Sequence, residues 1–556
     1  MISKIGLCCA AGALLIFTGT FVSSSTLAGF LRETPGDAVL LGAALFKTGF
    51  VILGLLIFIL CRIPIWNFNS KRETPYPEPQ RKSSLAALAI LLAAASAVRL
   101  YDLNSGLWFD EIVTYVNFVQ VPFGEIISTY SDQNQHILYS LLAHASFLLF
   151  GEGNWSLRLP AVLFGIGSIW ALYLLGRQVA GTREAFLAAA LLAFSYHHVW
   201  FSQNARGYTG LLFWTILASW LFLRGLREGR PELWLLYAAS AALGAYTLIY
   251  MVFVVIGHFA IYLMILLTQP KEIGPNRWSG LFLGFCLAGL LTFQLHALVL
   301  PQFLRAFAEA QVGGRVWTQP LWALLEFVRG MQTNFSGSVV AIAALSVFGI
   351  GLWSFARTNP VVIQLFIIPL LICATVKWGM GHHLWPRSFF FAAGFGVLVI
   401  IRGTMLLGHA AGRLLNFSSG KSALVGTTLC IGFILASATS IPLAYGPKQD
   451  YLGALTFVEA EKEPRDAVVT VGLATFPYKN FYKLDWEPVE NLEALESIRS
   501  RSRRTWLLYT LPIQLQDLYP DLTTVIQRDF KVVRQFYGTL GEGTIFVCRS
   551  DTPPSA

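Results

Sequence analysis

Charge is what this chain lacks. Only 13% of its 556 residues are Asp, Glu, Lys or Arg, against 55% hydrophobic, and its mean hydropathy is +0.59. That excludes a soluble globular protein. Runs of roughly 20 mostly apolar residues, each long enough to cross a bilayer, follow one another with short polar breaks. Paired cysteines are missing too: Cys8, Cys9, Cys61, Cys286, Cys373, Cys430 and Cys548 form no CxxC. Neither a disulfide framework nor a zinc knuckle is implied. No internal repeat or low-complexity tract is present, and Pro75-Tyr76-Pro77-Glu78-Pro79 reads as a stiff linker. The net charge of +9 would suggest nucleic acid for a soluble protein. Here it reflects the Lys and Arg of cytoplasmic loops, and no nucleic-acid partner is expected.

Hydropathy predicts about thirteen spans, near 7–29, 38–61, 84–101, 157–177, 184–199, 208–226, 233–249, 250–268, 280–300, 337–356, 360–376, 387–403 and 422–441. The stretch after Lys4 reads as a retained first helix, since Ser23–Ala28 is a weak cleavage site. Basic residues gather in alternate loops: Arg62, Lys71, Arg72, Arg81 and Lys82; Arg177 and Arg183; Arg224, Arg227 and Arg230; Lys271 and Arg277; Arg357; Arg402, Arg413 and Lys421. The positive-inside rule makes these cytoplasmic and places 102–156, 200–207, 301–336 and 377–386 together outside. His136–Phe150 is apolar but short, and as a span it would invert every later loop. It therefore reads as a helix lying along the surface, with Glu111–Val121 as a second. From 442 to 556 charges return, with β-like runs at 467–472, 505–510, 531–537 and 544–548 and a helical or loop stretch at 490–500. These predict a small soluble α/β domain on the outer face.

The polar clusters on the outer side carry the chemistry. Trp108-Phe109-Asp110-Glu111 puts two carboxylates directly after an apolar run. A carboxylate at the bilayer centre costs about 2.5–3.5 kcal/mol on insertion scales, so the pair belongs at the membrane edge and needs a reason to be there. Gln135-His136, Ser202-Gln203-Asn204-Ala205-Arg206-Gly207-Tyr208 and His382-His383-Leu384-Trp385-Pro386-Arg387 return to that face. Acids on one loop with Arg and His on the others suit an anionic, membrane-borne substrate. Asp110 or Glu111 as a mere helix cap, and arginines snorkelling to headgroups, are the plainer alternatives. Arg158 fits the snorkelling picture best. Tyr246 and Tyr250 read as aromatic-belt residues. The side chains of the adjacent His382-His383 pair diverge, and nothing has the spacing of a dedicated metal cage.

In order, these clusters resemble the GT-C-fold glycosyltransferases, in the group holding protein O-mannosyltransferases, aminoarabinose–lipid A transferases and rhizobial galacturonosyltransferases. Trp108–Glu111 is similar to their W-x-D-E element, Asn134–Tyr139 to N-H-P-L-Y, and Trp155–Pro160 to S-x-R-L-P. Phe201–Tyr208 is similar to Y-S-Q-x-A-R-x-Y, and Trp385–Phe389 to a late P-R-Y. The resemblance covers about 85–405. Ile137 stands where the family has proline, Ser388 where it has tyrosine, and the two spans before 84 are extra, which leaves the acceptor unassigned.

The resemblance implies an all-α polytopic membrane protein of GT-C type with juxtamembrane helices in its first outer loop. On that plan 1–83 holds the extra helices and linker, 84–441 the transmembrane catalytic domain, and 442–556 the soluble domain. It implies transfer of a sugar from a polyprenyl-phosphate donor to a lipid, glycan or protein hydroxyl, outside a bacterial plasma membrane. Asp110 would be the base and Glu111 would orient it or meet the acceptor. Arg206 and Arg387 would hold phosphate, guanidinium forks being suited to its oxygens, and His136, Gln203 and Tyr208 would line the donor site. The resemblance assigns no particular cofactor, and a divalent cation stays open because the family varies. A transporter or flippase should show paired halves with broken helices, and a glycan polymerase should lack the Trp108–Glu111 and Gln203–Tyr208 elements.

Overall fold

A computed structural model describes residues 2–62, 82–268, 277–308, 315–332 and 338–551. Lys71, Arg72, Arg81, the proline linker and Lys271 fall outside the described residues. α1 (Ile2–Phe21) and α2 (Ser24–Leu31) meet at 94°, and the Ser23 side chain caps α2 by accepting from Thr26 N. α3 (Asp37–Arg62) packs on α1 so tightly that a Cβ on Gly19 would lie 2.6 Å from the Lys47 carbonyl. α4 (Lys82–Leu100) leads into the first long loop, which holds α5 (Phe109–Thr114), a π-helical turn at Tyr115–Val119, α6 (Phe123–Ser128) and α7 (Ile137–Phe150). With 14 residues, α7 is about 21 Å long at 1.5 Å per residue, short of a hydrocarbon core of about 30 Å.

The bundle continues through α8 (Asn154–Val179), α9 (Thr182–Ala193), α10 (Tyr196–Ser202), α11 (Tyr208–Glu228), α12 (Pro231–Thr247) and α13 (Met251–Thr268). α14 (Leu287–His296), α15 (Leu300–Ala308), α16 (Pro320–Gln332), α17 (Ser338–Thr358), α18 (Pro360–Gly379), α19 (Ala393–Leu414) and α20 (Ser419–Ala438) complete it. Pro231 and Pro360 open their helices, where the missing N–H is no loss. Among the described residues seven helices are long and apolar enough to cross a membrane, and ten if each of three bent pairs is one span. The expected thirteen add α4, α12 and α17, each with at most 17 residues of suitable described helix. Small residues bring helices close, as in membrane bundles: a Cβ on Gly408 of α19 would lie 2.1 Å from the Gly426 Cα of α20.

Beyond α20 the chain forms α21 (Tyr451–Glu461), capped by Asp450 accepting from Gly453 N at 2.8 Å, and a five-stranded sheet. The strands are β1 (Ala467–Val471), β2 (Glu487–Val489), β3 (Thr505–Thr510), β4 (Lys531–Phe536) and β5 (Ile545–Ser550). Their order is β2-β1-β3-β5-β4, parallel around β1 and antiparallel around β5. Alternation along the strands sends Val469, Val471 and Leu507 to one face, under Leu495, Leu522 and Ile526. Val468, Trp506, Leu508 and Val547 go to the other face, into one apolar cluster with Leu107, Ile112, Tyr139, Leu157 and Ala205 of the helical region. The sheet therefore rests on the loop that carries the acid pair. Single cysteines at exposed Glu152, Gly381 and Glu461 are expected to react with an impermeant maleimide on whole cells. Cysteines at exposed Arg230 and Ser418 should react only after permeabilisation. Labelling of both sets from one side would overturn the loop assignment.

Candidate active site

α5 begins at Trp108, whose indole Nε1 donates to Asn204 Oδ1 at 3.1 Å, while Phe109 N donates to Gln449 Oε1 at 3.1 Å. Gln449 in turn donates to Thr510 Oγ1 at the end of β3, at 3.1 Å. Bundle and sheet thus fix the same turn, and the two acids that follow point to different partners.

Glu111 is fully enclosed. Its carboxylate receives Arg158 Nε at 2.8 Å and Nη2 at 2.7 Å, Ala205 N at 2.7 Å, and Trp108 N at 3.4 Å. Burial alone would raise its carboxyl, but Arg158 outweighs it and holds the group below its ordinary value. Arg158 is no snorkelling anchor. It is 1% exposed and also donates to the carbonyls of Leu103, Ser105 and Gly106 and to the Ser105 hydroxyl. Lys448, from the segment before α21, is buried beside this pair and donates to the Gln203 carbonyl at 2.8 Å. Burial pushes it down to about 7, against the pull of Glu111.

Asp110 faces the other way. Arg387 Nη1 lies 3.4 Å and Arg206 Nη2 3.9 Å from Oδ2, so both guanidiniums approach one oxygen, and among the described residues no hydrogen bond reaches Oδ1. Arg206 is itself buried, donating to Thr114 Oγ1 at 3.1 Å and the Asn134 carbonyl at 3.0 Å, with its guanidinium carbon 5.9 Å from the Tyr208 ring. His136 Nδ1 accepts from Gly207 N at 2.8 Å. Burial, with Arg206 and Arg387 nearby, holds this imidazole well below its usual value, so it is neutral and its proton sits on Nε2. Nε2 lies 3.4 Å from Arg206 Nη2: two donors converge, an arrangement suited to an anion. The Tyr208 ring stands edge-on to His136 at 5.8 Å.

Asp110, His136, Arg206, Tyr208 and Arg387 are therefore gathered, whereas Glu111 is turned away. Gln203 is spent on structure, its amide donating to the carbonyls of Arg99 at 3.1 Å and Tyr101 at 2.6 Å. Two groups escape the sequence reading. Lys377, at the end of α18, is buried, and Nζ donates to Tyr250 OH at 2.9 Å and Ser388 Oγ at 3.1 Å. It has no carboxylate partner among the described residues. A lone lysine in an apolar run was the available signal. Asp132 accepts from Asn134 N at 2.6 Å, and burial pushes its carboxyl up, with Arg206 opposing and Asp110 assisting. The belt reading fails for both tyrosines: Tyr250 holds Lys377, and Tyr246 is buried with its ring 5.4 Å from His296. Among the described residues no group of three His, Cys, Asp or Glu is placed to hold a metal ion.

Residues 134–296, which carry His136, Gln203, Arg206 and Tyr208, match the family described as "Dolichyl-phosphate-mannose-protein mannosyltransferase". The resemblance to GT-C glycosyltransferases is borne out. Two curated relatives come from Bacillus subtilis (strain 168). "Putative mannosyltransferase YkcB" is 27% identical over 172 residues, 29% of this chain and 23% of the relative. "Putative mannosyltransferase YycA" is 26% identical over 205 residues, 34% of this chain and 29% of the relative. The chain thus spans less than a third of the length of each of these relatives. Among solved structures, ArnT from Cupriavidus metallidurans in the apo state is similar at 13% identity and a TM-score of 0.47, over 84% of this chain and 98% of that one. The Archaeoglobus fulgidus oligosaccharyltransferase with Zn and sulfate is similar at 11% identity and a TM-score of 0.46, over 82% and 72%.

Proposed function

We propose that the protein is a membrane glycosyltransferase that moves a sugar from a polyprenyl-phosphate donor to an acceptor hydroxyl on the outer face. The observation that carries this reading is Asp110 itself, a buried carboxylate with one oxygen held by Arg387 and Arg206 and, among the described residues, no hydrogen bond on the other. Direct displacement at an anomeric carbon asks for a base at the attacking hydroxyl and for cations where the phosphate departs. Asp110 Oδ1 meets the acceptor hydroxyl. Arg387, Lys377 and His136 Nε2–H receive the phosphate as its charge grows. Arg206 sets Asp110 and His136 in place, and Glu111 with Arg158 holds the turn rigid. The test is release of polyprenyl phosphate from radiolabelled polyprenyl-phosphate sugars by the protein in lipid nanodiscs. Release from no such donor would overturn the reading.

The phosphate groups make a second prediction. Hydrogen bonds to charged groups contribute about 1.5–3 kcal/mol each. Arg387→Ala and Lys377→Met are each expected to lower donor kcat/KM about 10- to 100-fold, while Arg230→Ala, exposed and distant, stays within about threefold. Equal mild effects from all three would place the phosphate elsewhere.

A further inference from the structure

The two spans that precede residue 84 take no part in the chemistry above, yet they are fastened to the loop that carries it. α2 ends against α6: a Cβ on Gly124 would lie 2.2 Å from the Leu31 carbonyl oxygen, so the two backbones touch. The next residue, Arg32, turns its guanidinium onto the end of α6. Nε donates to Ser128 Oγ at 3.1 Å, and Nη2 donates to the Ser128 carbonyl at 3.5 Å and to Thr129 Oγ1. α3 reaches the same place by a second route. A Cβ on its Gly42 would lie 2.1 Å from the Leu298 carbonyl oxygen, and its Phe46 carbonyl accepts from Gln294 Nε2 at 3.2 Å. Just beyond, in α15, Gln302 donates through Nε2 to the Ser128 carbonyl at 2.7 Å and accepts from Tyr130 N at 2.8 Å.

We propose that these spans complete the donor site, and that Arg32 is a positioning residue which sets, through Ser128 and Thr129, the loop holding His136 and Arg206. The donor site is that of the transferase reading, on which the proposal rests. Residues 129–136 join α6 to α7 without helix or strand, so no backbone ladder fixes their path. Arg32 and Gln302 hold the start of the loop. Its end is tied back to the same anchor, because Gln135 Nε2 donates to the carbonyls of Ile126 at 3.0 Å and Thr129 at 3.4 Å. The two residues flanking Gln135 serve the site: the Asn134 carbonyl receives Arg206, and His136 Nδ1 receives Gly207 N. A shift at Thr129 therefore reaches both donors aimed at the phosphate. Such geometry is demanding, and a displacement of about 1 Å can cost about 100-fold in rate.

A headgroup anchor is the plainer account of an arginine at a membrane edge. The fork of Arg32 is instead spent on three uncharged oxygens of one turn, and Ser128, which supplies two of them, is fully buried. Gly124 gives an independent handle on the same contact. Alanine is the better helix former, so Gly124→Ala would be harmless or stabilising if the contact had no consequence. With the Leu31 carbonyl in place, the added Cβ must push α2 and α6 apart.

The experiment uses the full chain in nanodiscs with two readouts on the same samples. One is donor kcat/KM with a radiolabelled polyprenyl-phosphate sugar, and the other is amide hydrogen exchange over 129–136, with α11 and β3 as internal controls. Arg32→Met and Gly124→Ala are each expected to lower kcat/KM about tenfold and to speed exchange over 129–136 while the controls stay unchanged. Arg32→Lys should follow Arg32→Met, since an ammonium cannot span the same oxygens. In a His136→Phe background Arg32→Met should cost no more than about threefold, because a group it positions is gone. Wild-type behaviour of Arg32→Lys would make Arg32 a simple edge charge and overturn the proposal. Full additivity of Arg32→Met with His136→Phe would overturn it too, by showing a general loss of stability. If wild type transfers the sugar while both readouts are unchanged in Arg32→Met and Gly124→Ala, the proposal alone fails. If exchange over 129–136 rises as expected but wild type consumes no lipid-linked donor, the hold of the extra spans on this loop stands and the transferase reading fails.

Discussion

Arg158→Met will destabilise the protein more than any other single change at this end of the bundle, by about 3–5 kcal/mol, the range for breaking a buried ion pair. The substitution strands Glu111, which is fully enclosed and cannot reach water. It also removes the donors to three carbonyls, those of Leu103, Ser105 and Gly106. Arg158→Lys should rescue little. An ammonium is a point charge with three donors, whereas the guanidinium here uses its planar fork on Glu111 and its other edge on the loop. A snorkelling arginine would behave oppositely, since a long cationic stem would suffice. Because Glu111 titrates below its ordinary value in the folded protein, its contribution is present at neutral pH and is lost as pH falls through that lowered value. Thermal unfolding of the solubilised variants at neutral pH checks this. Arg158→Lys melting with wild type would show that the pair does not hold the turn.

The parts legible in the sequence are those set by local pattern. α11 (Tyr208–Glu228) matches the expected 208–226 because an apolar run bounded by Gly207 and Gly229 admits one helix. The expected β runs at 467–472, 505–510 and 531–537 recur as β1, β3 and β4, each with near-uniform strand character. β2 was not visible, since three residues, Glu487–Val489, become a strand only by pairing with β1. Asp110, His136, Arg206 and Arg387 stood out as polar groups at the ends of apolar runs, where burial demands a reason. Their division of labour did not. That Glu111 turns to Arg158 while its neighbour turns to Arg387 depends on contacts 47 and 277 residues away in sequence, which no local pattern encodes. Lys377 shows the same limit, because a lysine before Trp378 reads as a helix-end anchor until Tyr250 and Ser388 are seen to enclose it.

Asp110→Asn should abolish transfer while leaving the fold intact. The amide preserves the side chain's volume, and the group carries none of the bonds that fix the turn, which run through Glu111, Trp108 and Phe109. It removes the charge that takes the acceptor's proton, a contribution typically of about 10²–10⁴-fold. It also frees Arg387 and Arg206 from their carboxylate, so donor binding should be kept or strengthened. The direct measurement is single-turnover transfer from a radiolabelled polyprenyl-phosphate sugar by wild type and Asp110→Asn in nanodiscs, with donor binding and melting temperature followed on the same samples. Transfer reduced at least about 100-fold, with melting unchanged and donor binding kept or strengthened, is the expected result. Transfer near the wild-type rate would contradict Asp110 as the base.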